Sequence, residues 1–401
     1  MNGAMGPGRV RVVWDDAFAA YDFGPGHPMA PVRLELTAAL CRDLGLFDLP
    51  QVEVVGAEPA EDDVLHSVHS PDFVAAVRAA GTTGLPAHEA LPFGLGTDDV
   101  PIFDNMHEAS ARVVTGTRDL ALAVWRGEID HGVNFTGGLH HAMHAQASGF
   151  CVYNDLAAAI QGLLDAGVDR VAYVDIDVHH GDGVERIFWD DPRVMTVSVH
   201  ESGHTLFPGT GHPHDVGVGR AAGNAVNLAL PAGTADSAWL RAFHAVVPPL
   251  VRSFRPQVLI TQHGCDSHMS DPLAHLALSL DCQRASYQVL HELAHEHCEG
   301  RWIATGGGGY EVVDVVPRAW AHLVGIAAHH EVDPHTPLPP AWRQMVAQRL
   351  RQTAPLTMSD GFEVSYRPWA SGHDTGDVVD RAVMATRRAT FPLHGLDPWY
   401  D

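Results

Sequence analysis

Charge, cysteine and long apolar runs are all scarce in this 401-residue sequence. Only 18% of the residues are charged, below the usual quarter, so histidine, glycine, serine and threonine carry much of the polar chemistry. The five cysteines have no paired spacing, which argues against a disulfide framework and favours a reducing compartment. No run reaches the roughly 18 apolar residues of a membrane span, and the first residues lack the apolar core of a signal peptide. We therefore expect a soluble, cytoplasmic protein with no membrane partner.

The formal net charge of −24 argues against nucleic acid as a partner, because a phosphate backbone requires clustered basic side chains. The acidic balance is compatible with a cationic substrate, such as a lysine-rich protein segment or a polyamine. The 28 histidines make the net charge sensitive to pH near neutrality.

Short apolar runs alternate with longer helical patterns, and this alternation predicts an α/β fold whose mostly parallel central sheet is flanked by helices on both faces. Predicted strands cover residues 10–14, 132–136, 170–177, 194–200, 257–262 and 302–305. Predicted helices cover residues 32–44, 71–80, 108–126, 156–165, 237–254 and 283–297.

The alternation continues to about Ala328, with no linker long enough to require a domain boundary. We expect one catalytic domain over residues 1–328 and a C-terminal extension over residues 329–401, packed on that domain or following it. Within the extension we expect an irregular, proline-rich stretch at 333–340, a short helix at 342–351 and a tail punctuated by glycine and proline.

The most informative run is 171–183, where an apolar stretch ends in Asp175, Asp177, His179, His180 and Asp182. On an extended chain Asp175, Asp177 and His179 would point the same way, since side chains alternate along a strand. Two carboxylates and an imidazole at a strand end can hold a divalent cation. The alternative is a capped strand followed by a glycine turn, with the carboxylates solvated.

Other predicted strands also lead into polar or glycine-rich segments, which parallel strands would deliver to one edge of the sheet. These segments are Gly137-Gly-Leu-His-His141, Ser198 with His200, His263-Gly-Cys-Asp266 and Gly306-Gly-Gly-Gly-Tyr310. Such a concentration of histidine, aspartate and tyrosine indicates an enzyme.

The chemistry of these side chains indicates metal-dependent hydrolysis. Asp177, His179 and Asp266 are candidate ligands that would leave an open coordination position, as a catalytic site requires. His140 and His141 could share the tasks of activating water and protonating a leaving amine. Each would need a partner on its second ring nitrogen, and Asp175 and Asp182 are available. A buried pair of histidines is otherwise commonly structural, and a lone aspartate such as Asp266 is ordinarily a turn residue.

Tyr310 could donate its hydroxyl to a developing oxyanion, because four glycines give its loop the freedom to place it. A glycine-rich loop can also bind phosphate, but the lysine and serine or threonine of a P-loop do not follow it. Phe150 and Phe207 could line a narrow apolar channel, although packing in the core is the default role of a phenylalanine.

Taken together, these residues resemble the zinc-dependent histone deacetylase family, whose members have an arginase-like α/β fold. The resemblance runs in family order over about residues 14–325 and is closest to the bacterial acetoin-utilisation branch. The matching segments are Gly26-His-Pro-Met29 with Arg33, Asp99 before Pro101-Ile-Phe103, residues 137–141, Gly149-Phe-Cys151 with Asn154-Asp155, residues 175–183, Phe207-Pro-Gly-Thr-Gly211, residues 262–267 and residues 306–310.

The resemblance implies a role for each matching position. Zinc, with ferrous iron as an alternative, would be held by Asp177, His179 and Asp266. The catalytic residues would be His140, His141, Asp175, Asp182 and Tyr310. Substrate would meet Asp99 at the rim and Gly149, Phe150, Phe207 and Leu273 in the channel, with Arg33 near its inner end. A structural potassium ion would lie among Asp175, Asp177, His179, Ser198 and Val199.

This sequence departs from the family pattern at several positions. Leu206 stands before Phe207 where eukaryotic relatives usually have tyrosine, and His263 replaces their cysteine. A second potassium site is doubtful because residues 188–192 are altered and Asn224 replaces an aromatic residue. These changes make a nucleosomal substrate less expected.

The resulting hypothesis is hydrolysis of N-ε-acetyl-lysine in a protein or peptide, releasing acetate, with acetyl-coenzyme-A synthetase as a candidate protein substrate implied by the branch. An amidohydrolase for acetylated polyamines or other small amides is the alternative. Arginase-type hydrolysis would need more carboxylates around residues 175–182. A non-catalytic acetyl-lysine binding module is disfavoured because every proton-handling position is filled.

Overall fold

The computed structural model describes residues 8–401. The first residues, on which the prediction about a signal peptide rests, therefore lie mostly outside the described residues. The strands form one eight-stranded sheet in the order β2-β1-β3-β8-β7-β4-β5-β6, and every neighbouring pair is parallel. The strands are Val10–Val13 (β1), Val52–Val55 (β2), His131–Asn134 (β3), Val171–Asp175 (β4), Val194–Glu201 (β5), Ala225–Leu230 (β6), Val258–Gln262 (β7) and Trp302–Thr305 (β8). The predicted α/β class is therefore confirmed.

Helices flank this sheet, as an all-parallel sheet requires for burial of both faces. They are Val32–Asp43 (α1), Asp62–His66 (α2), Pro71–Thr82 (α3), Ala87–Ala90 (α4), Met106–Trp125 (α5), Asp155–Asp165 (α6), Asp182–Ile187 (α7), Asp236–Phe254 (α8), Leu280–His297 (α9), Val316–Ala327 (α10), Pro340–Leu350 (α11) and Val378–Thr390 (α12). Strands β3, β4, β5, β7 and β8 are buried at every residue. No helix in residues 8–401 is long and apolar enough to cross a membrane.

Side-chain caps determine where several of these helices begin. The Asn154 side chain accepts a hydrogen bond from the amide of Ala157 and starts α6, and Ser279 accepts one from Cys282 and starts α9. An N-cap of this kind satisfies an amide that the first turn of a helix leaves without a partner. Both caps matter for function, since α6 begins directly after a loop of the candidate site.

Two strands and several helices escaped prediction from the sequence. Strand β2 is a short, half-exposed edge strand that contains Glu53. Strand β6 contains Asn227, whose buried amide nitrogen donates to Glu185 and to the carbonyl of Asp215. In a sequence, asparagine is typical of turns. Here it lies in a buried strand, because residues distant in sequence satisfy its hydrogen bonds.

The C-terminal tail also differs from the prediction of an irregular segment. Helix α12 spans Val378–Thr390, and its buried face includes Asp380 and Arg387 beside apolar residues. Asp380 accepts two hydrogen bonds from Arg241 of α8, at 2.7 and 2.9 Å. Helix α12 was missed because these charged side chains interrupt its apolar stripe. The helix predicted at 342–351 is present as α11.

The residues that follow Ala328 pack against the elements around the sheet. Trp342 of α11 donates its indole N–H to the carbonyl of Leu36 in α1 at 2.9 Å. The hydroxyl of Thr386 in α12 donates to the carbonyl of Asn227 in β6 at 2.6 Å. These contacts cover the outer side of α1 and the edge of the sheet at β6.

Candidate active site

The five strands predicted to end in functional segments are consecutive in the sheet, in the order β3-β8-β7-β4-β5. Because all of them are parallel, their carboxyl ends meet at one edge, where open α/β sheets bind ligands. The loops after β3, β4, β7 and β8 carry the polar side chains that the sequence singled out.

The loop after β3 holds the two adjacent histidines. Gly138 adopts a φ of +96°, and a Cβ there would lie 2.3 Å from the carbonyl oxygen of Gly306. Only glycine fits such a close approach of two backbones. The buried carboxylate of Asp155 accepts the amides of Gly138 at 3.0 Å and Leu139 at 2.8 Å. Asp155 therefore fixes the loop that presents the histidines, a role for which the sequence offered only its place at the start of α6.

The two histidines form a carboxylate-supported pair. Nδ1 of His140 lies 2.7 Å from Asp175 Oδ2, and Nδ1 of His141 lies 2.7 Å from Asp182 Oδ1. Each carboxylate keeps the proton on Nδ1, which directs both Nε2 atoms toward each other at a distance of 3.0 Å. The structure thus brings together all four residues that the sequence grouped.

The environment divides the pair into a charged and a neutral member. Burial lowers the pKa of His140, but Asp175 and Asp177 outweigh it and raise that pKa to about 9. Burial and the charge on His140 lower the pKa of His141 to about 4. The Nε2 atoms therefore share one proton at neutral pH, held on the His140 side.

The loop after β4 does not continue the strand, which corrects the prediction of an extended chain over 170–177. Strand β4 ends at Asp175, whose Oδ1 accepts the amide of Asp177 at 3.1 Å. Asp177 Oδ1 in turn accepts the amide of His179 at 3.0 Å. These local hydrogen bonds compete with strand pairing and wind the chain into a loop. Asp177 and His179 therefore converge through loop geometry and not through strand alternation.

A cluster of ligand-type atoms lies beside the histidine pair. Nδ1 of His179 is 3.2 Å from Asp177 Oδ1 and 3.1 Å from Asp266 Oδ2, and all three side chains are buried. Nε2 of His140 lies 4.0 Å from Asp177 Oδ1. A tetrahedral zinc site with bonds of about 2.0 Å places neighbouring ligand atoms about 3.3 Å apart. The two distances from His179 Nδ1 are close to that value, and all three ligand-type atoms lie within 4.8 Å of one another, an arrangement that suits a single divalent cation.

The remaining carboxylate oxygens are held away from the cluster. Asp177 Oδ2 accepts hydrogen bonds from Gln262 Nε2 at 2.8 Å and from the amide of Gly308 at 2.9 Å. Asp266 Oδ1 accepts the amide of Val178 at 3.0 Å. Such contacts orient metal ligands. Gln262 is a site residue whose function the sequence did not reveal, because nothing local distinguishes it from a strand-end glutamine.

The cluster also carries an excess of negative charge. Burial and the charge of Asp177 raise the pKa of Asp266 to about 7. Burial opposes protonation of His179, but Asp177 and Asp266 raise its pKa to about 10. Two buried carboxylates beside one imidazole need a cation, and a divalent metal ion meets that need.

The glycine-rich loop after β8 places Tyr310 beside the cluster. Gly307 and Gly309 have φ values of +156° and +136°, and a Cβ on Gly308 would lie 1.9 Å from Asp266 Oδ2. The amide of Tyr310 donates to Asp271 Oδ2 at 2.8 Å. The Tyr310 hydroxyl stays protonated, because burial raises its pKa well above the usual value.

Arg33, which the sequence placed near the inner end of the channel, supports the same loop. It is almost fully buried, and Nη1 donates to the carbonyls of Gly309 at 2.8 Å and Gly307 at 3.3 Å. Its guanidinium lies 5.5 Å from the centroid of the Tyr310 ring. Arg33 thus fixes the backbone of the glycine-rich loop that carries Tyr310.

The two histidines, two of the ligand-type side chains and Tyr310 line one cavity. The lining residues are Met29, Gly138, Leu139, His140, His141, Gly149, Cys151, Asp177, His179, Gly307, Gly308 and Tyr310.

The predicted channel residues take different positions around this cavity. The half-buried Phe150 ring lies 5.7 Å from the Tyr310 ring, and the exposed Phe207 ring lies 5.1 Å from the His141 ring. Asp99 Oδ2 accepts the amide of Gly149 at 2.7 Å. Asp271 accepts the amides of Leu273 at 3.0 Å and Tyr310 at 2.8 Å and so links the two residues. Of the predicted channel residues, Gly149 is the one that lines the cavity itself.

The residues suggested for a monovalent cation also lie together. Asp175 of β4 pairs in register with Ser198 of β5. The Ser198 hydroxyl lies 2.8 Å from His200 Nδ1 and 3.4 Å from the amide nitrogen of Gly181. Asp175 Oδ2 also accepts a hydrogen bond from Tyr173 at 2.5 Å. The five suggested residues are all buried.

Comparison with known proteins agrees with this geometry. A sequence profile described as the histone deacetylase domain matches residues 27–327. The acetoin utilization protein AcuC of Bacillus subtilis (strain 168) is 40% identical over 348 residues, which are 87% of this chain and 89% of that protein. AcuC of Staphylococcus xylosus is 36% identical over 88% of this chain and 90% of its own length. AcuC of Staphylococcus aureus (strain MRSA252) is 38% identical over 79% of this chain and 80% of its own length.

Proposed function

The chain belongs to the histone deacetylase family and is a deacetylase, and from that premise we propose that it hydrolyses N-ε-acetyl-lysine amides in proteins or peptides. The observation that carries the proposal is the position of the His140–His141 pair, whose Nε2 atoms lie 3.0 Å apart, with His140 Nε2 4.0 Å from Asp177 Oδ1 in the ligand cluster. Proton-transfer groups beside a cation site are what amide hydrolysis requires.

The metal is proposed to be zinc, with ferrous iron as the alternative, held by Asp177, His179 and Asp266. A neutral imidazole and two carboxylates suit either ion. When bound, the ion supplies Lewis acidity that polarises the acetyl carbonyl and acidifies water.

The histidine pair moves the protons in this proposal. His141, the neutral member, accepts a proton at Nε2 as the oxygen of water adds to the acetyl carbon. The pair then returns a proton to the departing ε-nitrogen as the carbon–nitrogen bond breaks, which yields acetate and a free lysine amine. Asp175 and Asp182 act as positioning residues, because each holds the Nδ1 proton of its histidine.

Tyr310 is proposed to stabilise the transition state. Tyr310 lines the cavity and its hydroxyl remains protonated, so we expect the hydroxyl to donate to the oxygen on which negative charge develops. Because Arg33 and Asp271 fix the backbone of its loop, the donor is in place before substrate arrives.

The rim residues are proposed to select an extended acyl-lysine chain. The channel around the methylene chain is proposed to be lined by Gly149, Phe150, Phe207 and Leu273. Asp99 anchors Gly149 and is proposed to grip the substrate backbone as well. A potassium ion among Asp175, Asp177, His179, Ser198 and Val199 is proposed as a structural element.

Assays with two substrate classes distinguish the main proposal from its alternative. The metal-loaded enzyme is assayed against acetylated peptides, acetylated acetyl-coenzyme-A synthetase and acetylated polyamines, and kcat/KM is compared by acetate release. A preference of at least about tenfold for peptides, worth about 1.4 kcal/mol, supports acetyl-lysine as the substrate. A comparable preference for acetylpolyamines would overturn it.

The composition of the chain removes one source of background from an assay that detects released amines. All 25 basic residues counted as lysine or arginine are arginines, so the chain itself contains no lysine. An amine-reactive dye therefore reports lysine amines released from the substrate without a contribution from enzyme side chains. The enzyme also cannot be acetylated on a lysine of its own.

A further inference from the structure

Four histidines meet at the edge of the sheet opposite the candidate active site. His131 opens β3, His291 and His295 lie one turn apart on α9, and His329 follows α10. One ring nitrogen of each lies within 4.8 Å of the corresponding nitrogen of every other. His131 and Trp302 pair at the amino ends of β3 and β8, whereas the catalytic loops follow the carboxyl ends. This histidine cluster is therefore separate from the deacetylase centre.

His131 is the innermost member and carries an unused nitrogen. It is fully buried, and its Nδ1 donates to the carbonyl of Ala327 at 2.7 Å. The proton is thereby fixed on Nδ1, so Nε2 bears a lone pair. Nε2 is buried and has no hydrogen-bond partner among the described residues. An imidazole that donates one N–H to a backbone carbonyl and leaves the other nitrogen free has the usual arrangement of a histidine that binds metal.

The other three rings surround His131. Their centroids lie 4.9 Å (His291), 5.1 Å (His295) and 5.0 Å (His329) from the His131 ring. The Nε2 atoms of His291 and His295 are 3.1 Å apart. Neighbouring nitrogens in a tetrahedral zinc site are about 3.3 Å apart, which is close to this distance. His329 reaches the group through a left-handed backbone with φ of +51°, a conformation that non-glycine residues seldom adopt.

Burial favours the neutral form of all four imidazoles. Burial lowers the pKa of His131 to about 4 and also lowers the pKa values of His291, His295 and His329. Neutral imidazoles are the form that binds transition metals. The cluster runs from the buried His131 to the exposed His329, so an ion can enter from solvent.

We propose that His131, His291, His295 and His329 form a second metal site, which binds a divalent transition-metal ion of the kind that prefers imidazole, with Zn²⁺ as the principal ion. Four protein ligands would leave no position for a substrate, which is the character of a structural site. The ion would join β3, α9 and the segment after α10, three elements that are distant in sequence and meet at this edge of the sheet.

Metal stoichiometry of the untagged full-length chain tests the proposal. After equilibration with Zn²⁺ and removal of free ion, elemental analysis is expected to give two equivalents per chain. The double variant His291→Gln/His295→Gln is expected to retain one equivalent and its deacetylase activity. His297→Gln, on the same helix but outside the cluster, serves as the matched control and is expected to retain two equivalents.

Three outcomes of that measurement would overturn the second site. The first is one equivalent in the wild-type chain that the double variant retains, which would place that ion at the catalytic ligands. The second is two equivalents in the double variant. The third is a larger number that the double variant does not reduce, which would mean adventitious binding by surface histidines. None of them bears on the deacetylase proposal, since the catalytic ligands are unchanged in these variants.

A second measurement isolates the site from the catalytic metal. In a His179→Ala chain, Zn²⁺ is expected to raise the melting temperature and Mg²⁺, which prefers oxygen ligands, is expected to leave it unchanged. Adding His329→Gln should abolish most of the Zn²⁺ effect. If the His179→Ala chain does not fold, Co²⁺ titration of the wild-type chain decides by its visible absorption, because two sites saturate at two equivalents. Saturation at one equivalent, or a Zn²⁺ shift that His329→Gln leaves intact, would contradict the proposal.

Discussion

His140 and His141 face each other through their Nε2 atoms at 3.0 Å, while their Nδ1 atoms are each held 2.7 Å from a different carboxylate. Adjacent residues in a chain rarely direct their side chains at one point. Here the loop after Gly138 makes it possible, and the result is a pair with a single mobile proton. The following predictions depend on that pair and on its surroundings.

Removing the charge of Asp175 should alter both the rate and its pH dependence. Asp175 helps to raise the pKa of His140, so Asp175→Asn lets the pair lose its proton at a lower pH. We expect kcat to fall about 100-fold and the alkaline limb of the pH–rate profile to move to lower pH. Asp191→Asn, at a surface ion pair with Arg193, is the control. An unshifted profile would remove Asp175 from this role.

Loss of one hydroxyl should separate catalysis from metal binding. Tyr310→Phe keeps the ring that packs on Phe150 but removes the proposed oxyanion donor. We expect kcat to fall by roughly 10²–10³-fold, with metal content and melting temperature nearly unchanged. The matched control is Tyr366→Phe, a half-buried tyrosine that stacks on His244 of α8 and does not line the cavity. Wild-type turnover in Tyr310→Phe would contradict the mechanism.

Chelation of the metal should abolish activity, and a variant of Asp266 should show that the metal responsible is the one proposed at the catalytic ligands. Removing the metal is expected to reduce turnover to background, and adding Zn²⁺ or Fe²⁺ is expected to restore it. Asp266→Asn should prevent this rescue, because an uncharged amide replaces one of the two carboxylates beside His179 Nδ1 in the proposed metal site. Activity that survives complete metal removal, verified by elemental analysis, would sink the metal proposal.

Asp360 should make stability depend on pH. Burial opposes its charge, but hydrogen bonds from His268 and the amide of Leu280, with the charge of Arg318, hold its pKa well below the usual value. A carboxylate with a lowered folded-state pKa contributes its full stabilisation above the unfolded pKa of about 3.9. That contribution decreases as pH falls below this value and is lost as pH passes through the folded-state pKa.

The measurement is the free energy of unfolding of Asp360→Asn against wild type by urea titration. We expect a loss of about 2 kcal/mol near neutral pH, since hydrogen bonds to a charged group are removed. The difference between the two proteins should shrink as the pH is lowered toward about 3. A difference that stays constant with pH would show that packing, and not the charge of Asp360, is responsible.

The sequence was a good guide to chemistry but a weaker one to geometry. His140, His141, Asp175, Asp177 and His179 were grouped correctly because acidic residues and histidines stood out after apolar strands, where polar residues seldom have a packing role. The argument from strand alternation was nevertheless wrong beyond Asp175, because short-range hydrogen bonds from backbone amides to Asp side chains ended the strand two residues early.

Residues that act only through contacts distant in sequence could not be found this way. Asp155 holds two loop amides, Gln262 holds one oxygen of Asp177, and Asp271 holds the amide of Tyr310. Each resembles an ordinary cap or strand-end residue in the sequence. The histidine cluster was not predicted from the sequence. His291 and His295 are four residues apart, but their partners lie about 160 residues before and about 34 residues after them in the chain.

The fully parallel sheet has a consequence for the order of events during folding. Parallel neighbours cannot be joined by tight turns, and His179 and Asp266 are 87 residues apart in sequence although their side-chain atoms are 3.1 Å apart. Contacts that close such long loops form slowly, because the chain loses conformational entropy on closing the loop before the contacts provide any stabilisation. The hydrolytic centre therefore comes into existence only when most of the sheet has been assembled. Partly synthesised or partly unfolded chains would have the reactive side chains but no deacetylase activity.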